Sequence, residues 1–290
     1  MTTTGTGLPT CYRHPDRETG LSCSECGRPI CTECMTPAPV GLRCPDHAGN
    51  RRLARTVQRR GISRAPQRLG GTEALVTKSL IAINVAIYLI TAVQGNGINA
   101  PGGTLFAKMF LYGPAVAQGD WWRLITSAFL HYGPIHLGLN MFFLYLIGTP
   151  VEQYLGRARF LLVYLVSGLA GSAGALVFSP LSPTVGASGA IFGILGAALV
   201  LERQRSYVLG GSAMGLIVIN LIFSFALSNI SIGGHIGGLI GGIACMLALT
   251  RLGRVHGAYG RVGAVGIAGV VAVAAISVAV AYFKVRGYAA

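Results

Sequence analysis

The sequence predicts an all-α polytopic membrane protein: six transmembrane helices in a bundle, one further C-terminal span, and a small zinc-binding domain in front. Three observations carry that expectation. The chain is 52% hydrophobic and only 11% charged, against about 25% charged in a soluble domain. Seven apolar runs follow one another from about residue 75, enough to account for the mean hydropathy of +0.59. Six of the seven cysteines crowd into residues 11–44, at the spacing of metal ligands.

The front end reads Cys11-x2-His14, Cys23-x2-Cys26, Cys31-x2-Cys34 and Cys44-x2-His47. Two-residue gaps let both side chains of a pair reach one ion, and eight ligands make two closed tetrahedral zinc sites with no open position. Little apolar content lies between the pairs, so metal is expected to supply the folding energy. The alternative is a disulfide scaffold. The start MTTTGTGLPT has no basic stretch followed by an apolar run, so the N-terminus is expected to stay in a reducing cytosol, where zinc is favoured. Over about the first fifty residues the pattern resembles the B-box type of zinc finger. In that family the pairs interleave, which implies one site from Cys11, His14, Cys31 and Cys34 and another from Cys23, Cys26, Cys44 and His47. Closed sites are structural, so the module is expected to bind a protein partner or to regulate. Cys245, alone in a late apolar run, reads as a small buried hydrophobe.

Residues 51–74 form a linker with seven arginines (51, 52, 55, 59, 60, 64 and 68), Pro66 and no acidic residue before Glu73. Such a segment suits the anionic headgroups of a membrane surface. The net charge of +14 therefore needs no nucleic acid, and no aromatic residues are interleaved in the basic run to stack on bases.

The spans are expected near Ser79–Val93, Pro134–Gly148, Phe160–Phe178, Ser188–Leu201, Met214–Leu227, Ile232–Thr250 and Val262–Phe283. With the N-terminus inside, Arg157, Arg159, Arg203, Arg205, Arg251, Arg254 and Arg261 join the linker arginines on the cytosolic side. Lys108, Arg123, Lys284 and Arg286 fall outside, which obeys the positive-inside rule. The first exterior loop, about 95–133, carries Trp121 and Trp122 in an amphipathic stretch suited to the membrane–water interface.

Function is concentrated around PTVGASGAIFGILG, residues 183–196. From Ser188 to Leu201 there are only 14 residues, about 20 Å of helix against a hydrocarbon core of about 30 Å. Ser188 is thus expected roughly 10 Å below the outer surface. Counted up from Glu152, His136 and Asn140 stand at about 24 and 18 Å, and His235 counted from Arg251 at about 24 Å. Each alone reads as an interhelical hydrogen bond, and Ser188 among glycines as packing. Together, four polar groups at one depth read as a site, because polar side chains there are costly unless paired or functional. Gly234, Gly238 and Gly242 recur every fourth residue, a small-residue stripe that lets the sixth span press on the fourth, where Gly189, Gly193 and Gly196 occur.

Taken together, Trp122-Arg123, His131-x4-His136-x3-Asn140-Met141, Glu152, Gly186-Ala187-Ser188-Gly189 and His235-x2-Gly238-x3-Gly242 resemble the rhomboid intramembrane serine proteases, over roughly residues 75–252. The resemblance implies Ser188 as nucleophile and His235 as general base. His136 and Asn140, with the Ser188 backbone N–H, would form the oxyanion hole, and Phe192 the ring stacked on the base. Gly186, Gly189, Gly238, Gly242 and Arg123 are implied as supporting residues, Arg123 in the membrane-embedded first loop. No carboxylate is in reach of His235, so a two-residue Ser–His machine is expected, with no cofactor for catalysis. The implied domains are a zinc finger at 1–50, a linker at 51–74, the protease core at 75–252 and a seventh helix at 253–290. The implied setting is the plasma membrane, with an outward-opening site and transmembrane proteins as substrates. Two other classes remain to be weighed. A catalytically silent, client-binding adaptor would lack Ser188 or His235, and both are present. A transporter would show inverted repeats or intramembrane carboxylates, and neither is apparent.

Overall fold

The computed structural model describes residues 7–38, 40–48, 73–226, 230–252 and 263–288. The arginine-rich part of the linker, Leu227, Arg254, Arg261 and the first residue of the seventh span lie outside the described residues. Two compact units are separated at about residue 70.

In the first unit, β1 (Thr10–Cys11) pairs antiparallel with β2 (His14–Glu18), and β3 (Thr36–Pro37) with β4 (Leu42–Arg43). Its buried centre is Ile30 and five cysteines, Cys11, Cys23, Cys31, Cys34 and Cys44. Such an interior is far too small to offset chain entropy by hydrophobic burial.

The second unit is helical. α1 spans Leu75–Gln94. Three short helices follow in the loop after α1: α2 (Gly103–Met109), α3 (Gly113–Ala117) and α4 (Arg123–Thr126). Then come α5 (Pro134–Phe143), α6 (Thr149–Leu155), α7 (Arg157–Phe178), α8 (Ser188–Arg203), α9 (Ala213–Ala226), α10 (Ile232–Leu247) and α11 (Ala264–Val285). Among the described residues five helical stretches are long and apolar enough to cross a membrane, namely 75–94, 134–155, 157–178, 232–250 and 264–288. α8 and α9 are shorter.

Several ends run past the expected boundaries. The second span continues through a π-helical turn, Leu144–Gly148, into α6. Pro150 lacks an N–H and its ring crowds the carbonyl of Leu146, so the regular ladder cannot pass through it. That turn corrects the depth count for His136 and Asn140, which assumes a regular helix down to Glu152. Glu152 itself is buried: its carboxylate accepts hydrogen bonds from the Val76 and Thr77 N–H groups and the Thr77 hydroxyl at 2.7–2.9 Å. It caps the positive N-terminus of α1, satisfying donors the helix leaves free.

α8 is buried on nearly every face, as an apolar-all-round sequence requires. α10 lies against both α7 and α8, and glycine makes both approaches possible. A Cβ on Gly238 would fall inside the Gly189 carbonyl, and one on Gly242 inside that of Gly193. A second stripe, Gly233, Gly237 and Gly241, meets Gly174 and Ala170 of α7 in the same way. The expected stripe thus accounts for only one of the two tight faces. α11 packs on α7, and Trp121, expected at the interface, stacks on Tyr282 of α11 with ring centroids 6.2 Å apart. Trp122 remains exposed, its Nε1–H donating to the Lys108 carbonyl.

Candidate active site and metal centres

Ser188 is the first residue of α8, and the strand of chain that delivers it is pinned on both sides. Leu111 and Thr184 exchange backbone hydrogen bonds at 3.0 and 2.9 Å, Gly186 N–H donates to the Ser127 carbonyl at 3.0 Å, and the Tyr132 hydroxyl donates to the Pro183 carbonyl at 2.8 Å. Gly186 has φ +121°, and a Cβ there would stand 2.8 Å from His136 Nε2. Only glycine satisfies both the backbone and the space.

His235 sits in the first turn of α10, whose N-cap is Ser231; the Ser231 Oγ accepts from the Gly234 N–H at 3.1 Å. His235 Nε2 lies 2.7 Å from Ser188 Oγ, within the range that proton transfer requires. Phe192, one turn below Ser188, stacks on the imidazole at 4.2 Å between centroids and 19° between planes. Close approach of α8 and α10 at Gly189 and Gly238 brings these rings together, since any larger side chain would separate the helices.

His136 and Asn140 line the same cavity as Ser188 and His235, a cleft of about 710 Å³. The Asn140 side-chain N–H donates to the His136 carbonyl at 2.8 Å, which leaves its second hydrogen for another acceptor. Tyr132 N–H makes a long 3.5 Å contact with His136 Nδ1. His131 is fully buried beside His136, ring centroids 5.0 Å apart. Arg123 is elsewhere. Its guanidinium bonds to Asp120 and to the carbonyls of Ala107 and Phe110 at 2.8–2.9 Å, clamping the loop between α1 and α5.

Sequence reasoning missed one polar neighbour of the imidazole. Ser224 of α9 places its Oγ 2.6 Å from His235 Nδ1, so the ring is held at both nitrogens rather than by Ser188 and Phe192 alone. A signal existed: Asn220 and Ser224 stand four apart on an otherwise apolar helix.

In the first unit the interleaved sets are what the chain brings together. Cys11, His14, Cys31 and Cys34 form one cluster, and Cys23, Cys26, Cys44 and His47 the other, all donor atoms within 4.8 Å of one another. Zn–S bonds of about 2.3 Å and Zn–N bonds of about 2.0–2.1 Å put tetrahedral ligand atoms roughly 3.5–3.8 Å apart. Here the contacts to His14 Nδ1 are 3.3, 3.4 and 3.9 Å. Those to His47 Nδ1 are 3.2 and 3.9 Å, and Cys26 and Cys44 are 3.9 Å apart. The donor sets fit a zinc ion. Burial pushes the Cys11 and Cys23 thiols up, but backbone N–H donors, among them Arg13 for Cys11 and Cys44 for Cys23, more than offset it and hold each at about 6. The shift is toward the thiolate, the form that binds metal.

The rhomboid domain family model matches residues 118–252. Rhomboid protease GluP of Bacillus subtilis is 44% identical over 177 residues, covering 60% of this chain and 34% of that protein. YdcA of the same organism is 44% identical over 172 residues, 58% of this chain and 84% of its own length. Rhomboid-like protease 3 of Toxoplasma gondii is 30% identical over 180 residues, 58% and 67%. The chain thus spans about a third of GluP but most of YdcA.

Proposed function

This chain belongs to the rhomboid family, and on that premise we propose that it is an intramembrane serine endopeptidase with Ser188 as nucleophile and His235 as general base. The observation that carries the reading is the 2.7 Å contact between His235 Nε2 and Ser188 Oγ at the head of a short buried helix. His235 takes the Ser188 proton as the oxygen attacks a peptide carbonyl, then gives it to the leaving amine; water repeats the cycle on the acyl-enzyme. The developing oxyanion is met by the Ser188 N–H, Asn140 and His136. The Tyr132 contact to His136 Nδ1 favours the proton on Nε2, the nitrogen beside Gly186. Such donors gain strength in a low-dielectric site.

The substrates in this reading are membrane-protein helices that unwind near their outer end, entering a site open to the extracytoplasmic face of a plasma-membrane protein. Residues 1–50 form a cytosolic module in which two structural zinc ions supply folding energy, 51–74 a basic segment at anionic headgroups, 75–252 the protease and 253–290 an added helix. A fluorophosphonate serine-hydrolase probe tests the assignment. Wild type should label and cleave a transmembrane substrate, while Ser188→Ala and His235→Ala, folded to the same melting temperature, should do neither. Equal labelling of Ser188→Ala would overturn it.

A further inference from the structure

The reaction above leaves one buried polar side chain at the base unused. Ser224 is 2% exposed, and its Oγ lies 2.7 Å from the Asn220 carbonyl oxygen and 2.6 Å from His235 Nδ1. The bond to a carbonyl four residues back is the ordinary habit of a serine in a membrane helix. The contact with His235 is not, because it crosses between two helices to the one ring nitrogen that Ser188 does not use. A hydroxyl has one proton and two acceptor lone pairs. With its proton given to Asn220, Ser224 meets His235 only with lone pairs, and a bond there requires the ring proton on Nδ1. Nε2 is then bare, facing Ser188 Oγ at 2.7 Å. The opposite tautomer would point an N–H at the nucleophile and disable the base.

We propose that Ser224 is a positioning residue: it accepts the Nδ1–H of His235, holds the imidazole in the tautomer that leaves Nε2 free for Ser188, and stabilises the imidazolium formed during turnover. This rests on the assignment of Ser188 and His235 given above. During the transfer the Ser188 proton moves to Nε2 and returns, while the Nδ1 proton and the Ser224 hydroxyl stay in place. The part is the one a triad carboxylate plays, taken here by a neutral group that adds no charge to the membrane interior. Phe192 stacking fixes the ring plane, but a flat face does not distinguish one nitrogen from the other. α9 supplies the discrimination because Ala213, Ile217 and Ser224 share its buried side, while Ile219, Ile222 and Phe225 are exposed.

The test uses the full-length protein reconstituted in lipid, with Ser224→Ala and Ser224→Thr beside wild type. Loss of an acceptor that serves a charged ring should lower kcat roughly ten- to a hundredfold, with KM and melting temperature unchanged, and Ser224→Thr should recover most of it. Nitrogen-15 spectra of histidine-labelled protein should show His235 protonated at Nδ1 in wild type and a mixture of tautomers in Ser224→Ala. That readout needs no turnover, so it decides the positioning role separately from the protease assignment, which fails if wild type neither labels nor cleaves or if Ser188→Ala labels equally. Wild-type kcat in Ser224→Ala, or a resting Nε2–H tautomer in wild type, would overturn the proposal. So would a Ser224→Thr variant as inactive as Ser224→Ala with both destabilised.

Discussion

Gly186 concentrates the site's demands on a single residue. Its φ of +121° lies where L side chains are strained, and its missing Cβ is the space His136 Nε2 occupies. Gly186→Ala must shift the backbone or the ring, at a cost of about 1–3 kcal/mol for the strained conformation. A displacement of the proposed oxyanion donors by even about 1 Å should lower turnover roughly a hundredfold. The expected outcome is a bundle that still folds and a probe-labelling rate reduced by at least that factor. Wild-type labelling would mean that His136 has room to move and that its placement is not critical. His235 makes the complementary point, being held by Ser188, Ser224 and Phe192 from three directions.

Helix α10 is the element that turns small residues into the Ser188–His235 contact. Its two glycine stripes bring it against α8 on one side and α7 on the other, so that a ring on one helix reaches a hydroxyl on the next. Gly238→Ala would drive a methyl into the Gly189 carbonyl, and overpacking of this kind costs about 1–3 kcal/mol. A melting temperature several degrees lower is expected, with loss of probe labelling as Ser188 and His235 move apart. Gly138 on α5 is the matched control, since no atom stands within 4 Å of a Cβ there. Gly138→Ala should leave both readouts unchanged or raise stability slightly, by up to about 1 kcal/mol, because alanine is the better helix former. A Gly238→Ala protein as stable and active as wild type would show that the contact yields without consequence.

Across the whole molecule, two units obey different physics. The membrane unit owes its order to helix packing and satisfied backbone groups; the first unit has a buried centre of only Ile30 and five cysteines, and the zinc proposed for its two clusters would supply what that centre lacks. Zinc chelation should therefore expose residues 11–47 to protease while the melting temperature of the membrane unit holds. Simultaneous loss of both on chelation would mean that the two units are one cooperative structure.

Much of this was legible in the sequence because each feature leaves a local mark. Apolar run length reports a span, a two-residue gap reports a ligand pair, and a small residue every fourth position reports a close helix contact. From residue order alone come the membrane class, the succession of apolar runs, the eight Cys and His residues that cluster in two sets, and the polar groups that line the cleft. Packing in three dimensions supplies the rest: which groups Arg123 bonds within the loop, that Glu152 caps α1, that α10 has a second glycine face, and that Ser224 meets His235. Each of these depends on which side of a helix faces which neighbour. That is set by the rotation and crossing of packed helices, a property of pairs of surfaces that no single stretch of chain encodes.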